Sequence, residues 1–225
     1  MLYSNNNYQY TFSFLFLPFL MLLGALAYTY KRIGSKTIIE SSNAKGKGER
    51  LTKPFYIYTF AVLLNTVGLI PYTLILYKAS EILKPMNQQW IVPLIYLLIQ
   101  GVDAPVALLA GYAYDKFGVR VLVMPFLFSI FPPLLTIASA ELTMLIMASI
   151  VFGFVLGMQE SIYRAAVSEL TPISSRGTAY GIFNTAYGAG LFISGALFGF
   201  LMILKPQFIT VAFCVLIIQI IATAL

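Results

Sequence analysis

A chain of 225 residues that is 60% hydrophobic and 10% charged cannot clothe a soluble sphere, because soluble domains carry roughly 25% charged residues. With a mean hydropathy of +0.86, this balance excludes an ordinary soluble enzyme, a nucleic-acid binder and a disordered protein. The lack of histidine excludes imidazole catalysis and His-ligated metals, the lone Cys214 excludes an internal disulfide, and the net charge of +6 reads as a topology signal.

Uncharged runs of about 18 or more residues are long enough to cross the hydrocarbon core as helices. The first run covers residues 1–30, with its apolar part at 11–30. It lacks a basic leading segment and is followed by a basic cluster, so it reads as an anchoring helix rather than a signal peptide. Residues 31–53 form a basic linker whose Ser/Asn/Gly/Lys stretch looks solvated. Further runs follow at 54–77, 85–114 (interrupted by Asp103), 121–140, 142–163, 177–204 and 206–225. The runs are continuous rather than alternating, which favours helices over a β-barrel. The expected fold is all-α: a polytopic transmembrane helical bundle of seven spans, divided into a first helix at 1–30, the linker and a six-helix bundle at 54–225.

Basic residues orient such a bundle. If the linker is cytoplasmic, eleven of the fourteen Lys and Arg residues fall inside, and only Lys78, Lys84 and Lys205 fall outside. The N-terminus is then outside and the C-terminus inside. Trp90 and Tyr77 sit where an outer aromatic belt belongs.

Several residues stand out against this apolar background. Asp103 lies halfway along the third span, after Gln100 and Gly101 and before Pro105, and a kink over 101–105 is expected there. An acid within the membrane is expensive and marks a cavity or coupling site by default, the alternative being an acid satisfied by a neighbouring helix. Glu160 and Arg164 are four apart on one helical face, either as an interfacial ion pair or as a gate. Asn65, Gln159, Asn184 and Tyr187 are polar groups that either line a cavity or bond across helices. Gly153/Gly157 and Gly195/Gly199 offer small-residue packing faces. Pro71, Pro125, Pro132 and Pro133 signal kinks.

The short loop between the third and fourth spans carries Gly111, Asp115, Lys116, Gly118 and Arg120. Gly111 allows close helix approach and Gly118 a tight turn. Asp115 is expected near the start of the following helix, at its positive dipole end. This pattern resembles the cytoplasmic signature of the major facilitator superfamily, with Val119 in place of a usual basic residue. A second block, in which Pro172, Arg176 and Gly177 are followed by Ala179 and Gly181, is similar to the connection between helices ten and eleven of bacterial and archaeal facilitators. The likeness is to an uncharacterised prokaryotic subgroup.

The resemblance implies that the first helix and the bundle correspond to helices six to twelve, with the linker as the central cytoplasmic loop. It further implies secondary transport of an unidentified small solute by alternating access in a prokaryotic cytoplasmic membrane. The expected partners are the lipid bilayer, a small-molecule substrate, and a missing N-terminal half or a second copy, with no nucleic acid, no cofactor, no metal and no catalytic residue. The last span stops at Leu225 without a polar tail, which leads to the expectation of a fragment or of a body completed by another polypeptide. The competing readings are a seven-helix receptor, which as a retinal protein would need a lysine inside the last span, and a non-transporting membrane partner. An intramembrane protease is a further alternative. Ser194-Gly195 faintly resembles a rhomboid serine, but the histidine that chemistry requires is absent.

Overall fold

The computed structural model describes residues 8–43, 50–204 and 207–225. Every regular element among the described residues is helical. The chain divides into two compact units, Met1–Gly48 and Glu49–Leu225.

The first unit contains α1, Tyr8–Asn43, which runs unbroken through Pro18. It continues past Tyr30 into the stretch expected to be a loop, and residues 44–49 of that stretch lie outside the described residues. The local reason is side-chain support across the boundary. Thr29 Oγ1 donates to the Ala25 carbonyl at 2.7 Å, and Arg32 donates to the Tyr28 hydroxyl one turn back at 2.7 Å. At 1.5 Å per residue, its 36 residues extend about 54 Å, well beyond the hydrocarbon core.

The second unit begins with α2, Lys53–Val67, whose Pro54 occupies the first turn where a missing N–H does no harm. The run expected at 54–77 is broken at residues 68–71. Pro71 caps α3, Tyr72–Leu83, so this proline starts a helix rather than kinking one. After two 3-10 turns comes α4, Val92–Phe117, continuous through Pro105. No break appears at the expected kink. Asp115 lies in the last turn of α4 rather than at the start of the next helix, because α4 continues to Phe117. The charge therefore sits at the negative end of its own helix.

Gly118, at φ +64°, reverses the chain. A 3-10 segment, Gly118–Leu122, leads into α5, Val123–Phe128, and then α6, Phe131–Ala138. Pro132 and Pro133 open α6. Next comes α7, Leu142–Met158, then five residues of π-helix, Gln159–Tyr163, and α8, Arg164–Leu170. The unit closes with α9, Arg176–Leu204, and α10, Phe208–Ala224.

Four segments are long and apolar enough to cross a membrane: Lys53–Met86, Gln89–Ala138, Leu142–Leu170 and Ile173–Leu204, with α10 as a shorter apolar helix. The second of these is a hairpin folded at Gly118, and side-chain register establishes the fold-back. A Cβ on Gly153 would meet the Ile99 carbonyl at 2.5 Å, and one on Gly157 would meet the Asp103 carbonyl at 2.5 Å. Residue numbers rise together, so α4 and α7 are parallel. Phe126 instead packs on Tyr163 and Phe128 on Phe154, so α5 is antiparallel to α7.

The α4–α7 seam is thus a backbone-to-backbone approach at Gly153 and Gly157, as the sequence pattern indicates. The second pattern behaves differently. Gly199 has nothing within 4 Å of its Cβ direction, and Gly195 meets only Pro71 at 4.0 Å. The close approach of α9 to α2 falls instead at Gly190, whose Cβ would lie 2.9 Å from Thr66 Cβ. One turn further on, Ser194 Oγ donates to the Leu69 carbonyl freed by the break after α2. Ser194 is fully buried; its hydroxyl fills a backbone vacancy and is no nucleophile.

Candidate functional site

The π-helical turn Gln159–Tyr163 is the organising feature of the site. π-Turns bond i→i+5, are rare, and occur frequently at functional sites. Upstream, Gly157 is pressed against the α4 backbone at Asp103 and Ala107. Downstream, Ser161 Oγ lies 2.9 Å from where a Gly111 Cβ would be. The widened turn lies between these fixed contacts and presents two faces.

The inner face is a closed polar hub centred on Asn65 of α2. Asn65 Nδ2 donates to Gln219 Oε1 of α10 at 2.7 Å, and Gln219 Nε2 returns a bond to the Asn65 carbonyl at 3.1 Å. Asn65 Oδ1 accepts from the Tyr163 hydroxyl at 2.7 Å and from Gln159 Nε2 at 3.0 Å. Ser129 Oγ stands 3.4 Å from Asn65 Oδ1, but its single proton goes to the Pro125 carbonyl at 2.6 Å, which leaves it to accept from Gln159 Nε2 at 3.3 Å. Asn65, Ser129, Gln159, Tyr163 and Gln219 are all buried. One side chain therefore ties α2, the end of α5, the π-turn and α10 together. Gln219, 154 residues from its partner, is a member that sequence reasoning missed.

These bonds fix each amide's orientation. Because Asn65 Nδ2 is taken by Gln219, Asn65 turns its oxygen to Gln159, which must answer with its NH2 group. Gln159 Oε1 is then left buried without a hydrogen-bond partner.

The outer face is open. Glu160 and Arg164 are exposed and line a small cavity of about 40 Å³ together with Gln159, Tyr163, Phe183, Asn184 and Tyr187. Asn184 and Tyr187 are three apart on α9, which the stacking of Tyr58 on Phe183 brings level with the π-turn (centroids 6.1 Å apart, planes 3° apart). Among the described residues, Glu160 and Arg164 form no ion pair within 4 Å. Both lie within electrostatic reach of the Tyr187 hydroxyl. The structure thus brings Glu160, Arg164 and Asn184 together.

Asn65 lies behind this cavity, inside the hub. Asp103 lies one helix away on α4, 8% exposed, with Oδ1 unpartnered and within electrostatic reach of Glu160. Gln100 is exposed on α4 and is not part of the cavity wall.

The signature-loop residues gather at one end of the bundle. Asp115, Lys116 and Arg120 are exposed, and Lys116 lies over the Phe117 ring at 5.3 Å. Gly118 supplies the positive φ of the reversal. Beside it, the Tyr114 hydroxyl donates to Glu169 Oε2 at 2.6 Å and joins α4 to α8. In the connection that follows, Pro172 caps the 3-10 turn Ile173–Ser175. Arg176 donates to the Ser168 carbonyl at 3.0 Å, and Tyr180 to the Arg164 carbonyl at 3.0 Å. Gly177 opens α9 with free space at its Cβ direction.

A family model described as Major Facilitator Superfamily matches residues 55–225. An uncharacterized protein of Mycobacterium bovis and one of Mycobacterium tuberculosis are each 34% identical to the chain over 110 residues. The matched stretch is 49% of this chain and 27% of those relatives' length. No solved structure matches the chain.

Proposed function

Since the chain belongs to the Major Facilitator Superfamily, we propose that it takes part in secondary active transport of a small solute by alternating access. It is an integral membrane protein, by family and by its apolar helices. In the proposed arrangement α1 is a single crossing and the second unit supplies six more, as the rear part of a twelve-helix transporter. The signature loop faces the cytoplasm of a prokaryotic cell, with the N-terminus outside and the C-terminus inside, in keeping with the basic residues. A second polypeptide or a preceding half supplies the other bundle.

One observation carries this reading: the position of the open face of the π-turn. Glu160 lies ten residues before the end of the membrane-capable segment Leu142–Leu170, about 15 Å along the helix. A charge at that depth facing lipid costs about 2.5–3.5 kcal/mol by insertion scales. Two opposite charges, an amide and a phenol converging on one cavity therefore belong against water and substrate. Glu160, Arg164, Asn184 and Tyr187 form one wall of the transport cavity, and Gln159 holds that wall to the hub. Asp103, buried and unpartnered behind the π-turn, is the coupling carboxylate, with the proton as coupling ion.

The test is solute uptake into proteoliposomes under an imposed pH gradient. The chain alone is expected to show no saturable uptake. The chain reconstituted with its complementing half is expected to accumulate solute, and Asp103→Asn is expected to uncouple that accumulation from the gradient. Saturable uptake by the chain alone, or accumulation by Asp103→Asn indistinguishable from the parent, would overturn the reading.

A further inference from the structure

The bundle holds a second and larger cavity, remote from the π-turn. It has a volume of about 570 Å³ and lies between α3, α6, α9 and α10. Its walls are apolar, formed by Leu74, Ile137, Leu201, Met202 and Val211. Gly199 also lines it, and the open space off the Gly199 Cβ direction is part of the cavity. The small residue that suggested helix packing in the sequence instead leaves room for a ligand.

The polar groups of this cavity come from a single helix, α3. Lys78 is half-buried and donates to the Ile137 carbonyl at 3.5 Å. Glu81, three residues on and exposed, accepts from the Tyr77 hydroxyl at 3.0 Å. All three residues line the cavity. They stand at the end of the bundle opposite the signature loop, with Trp90 exposed after the same turn. Tyr and Trp of this kind gather at the level of lipid headgroups.

We infer that this cavity is a binding site for a phospholipid with a primary-amine headgroup, of the phosphatidylethanolamine class. The apolar walls take the upper part of an acyl chain. The Lys78 ammonium meets the phosphodiester, a charge-assisted contact. The Glu81 carboxylate accepts N–H bonds from the lipid ammonium. The pair also discriminates. A phosphatidylglycerol headgroup keeps the negative charge and brings no cation to Glu81. A phosphatidylcholine headgroup carries a cation without an N–H to donate. A buried protein helix would leave both charges of α3 unpaired or desolvated, which is costly.

The full chain in nanodiscs of equal parts phosphatidylethanolamine, phosphatidylcholine and phosphatidylglycerol, released into the gas phase for native mass spectrometry, tests the assignment. Retention of phosphatidylethanolamine is expected to exceed that of each other lipid by about fivefold, the ratio one good ionic contact supports. Lys78→Met is expected to lower retention of all three lipids. Glu81→Gln is expected to erase the preference over phosphatidylcholine while leaving total retention in place. Gly199→Trp, which fills the cavity from a position with no neighbour to displace, is expected to lower retention of every lipid. Far-UV circular dichroism checks that each variant keeps its helices, and Glu81→Gln changes an exposed side chain, so it stands as a test even if Gly199→Trp fails to fold. Equal retention of the three lipids, a preference for phosphatidylglycerol, or a Glu81→Gln variant with unchanged selectivity would overturn the inference. Displacement of bound lipid by soluble phosphoethanolamine alone would overturn the role given to the apolar walls.

Discussion

The two faces of the π-turn differ in one respect that governs everything else about them. On the inner face, Gln159 and Tyr163 bond into a buried hub whose central residue, Asn65, has both amide groups engaged. On the outer face, Glu160 and Arg164 line a cavity with no ion pair between them. Residues one position apart in sequence are assigned to opposite duties, stability and recognition. A regular α-helix spaces its faces at 3.6 residues, and the wider turn keeps the i, i+4 pairs Gln159/Tyr163 and Glu160/Arg164 on separate sides. The comparison indicates that groups satisfied within the bundle hold it together, and groups left open by it await something else.

Substitutions can break or sharpen this contrast. The largest loss is expected where α7 meets α4. In Gly157→Leu the new Cβ would lie 2.5 Å from the Asp103 carbonyl and 2.9 Å from the Ala107 nitrogen, and backbone cannot yield as a side chain does. Overpacking costs about 1–3 kcal/mol and occasionally more, so this variant should fail to give a monodisperse protein in detergent. Asn65→Ala comes next. It removes the Oδ1 and Nδ2 bonds and loosens the return bond from Gln219. Interhelical bonds in membranes average about 0.6 kcal/mol each, so four of them amount to about 2–3 kcal/mol. Thermal unfolding in detergent should show that loss, and an unchanged midpoint would mean the hub holds nothing together.

On the open face the expectation reverses. Glu160→Gln should move stability by no more than about 0.5 kcal/mol, the usual range for a substitution away from packed features. Its effect should appear in uptake by the completed transporter, which is expected to fall. A destabilisation as large as that of Asn65→Ala would place Glu160 among the structural residues. The smallest effect is expected for Gly199→Ala, whose added methyl meets nothing within 4 Å. The same change at Gly190, 2.9 Å from Thr66 Cβ and 3.0 Å from the Leu63 carbonyl, should cost measurably more in the same assay.

The apolar runs were legible in the sequence because a bilayer demands length and composition and little else. Gly118 was legible because a reversal at positive φ needs glycine. The glycine pair at 153 and 157 was legible by its spacing, while the pair at 195 and 199 shows the limit of spacing as evidence. Small residues permit close approach, but only the partner helix decides where it occurs, and here that place is Gly190 and Ser194. The π-turn left no mark, since Gln-Glu-Ser-Ile-Tyr is as compatible with an α-helix. Only its setting among α2, α4 and α9 shows that the turn is widened. The Asn65–Gln219 pairing was hidden by a separation of 154 residues. Pro105 misled in the opposite direction: a proline removes one donor and strains one turn, but α4 is clamped on α7 at Gly153 and Gly157 and stays continuous. Asp115 misled because the basic loop made α4 seem to end before it, whereas α4 holds its last turn through Phe117.

The central claim is that the face carrying Glu160, Arg164 and Asn184 borders water while the chain lies in a membrane. It is tested most directly by thiol accessibility, since thiolates react with polar maleimides only where water reaches them. Cys214→Ala gives a cysteine-free background, into which Asn184→Cys and Phe213→Cys are placed separately. Both native residues are exposed in the isolated bundle, so burial in the fold does not distinguish them. In intact membranes a membrane-impermeant maleimide should label Asn184→Cys and leave Phe213→Cys, on the apolar α10, unlabelled. Equal protection of the two positions would contradict the claim and return the cavity of the π-turn to the lipid.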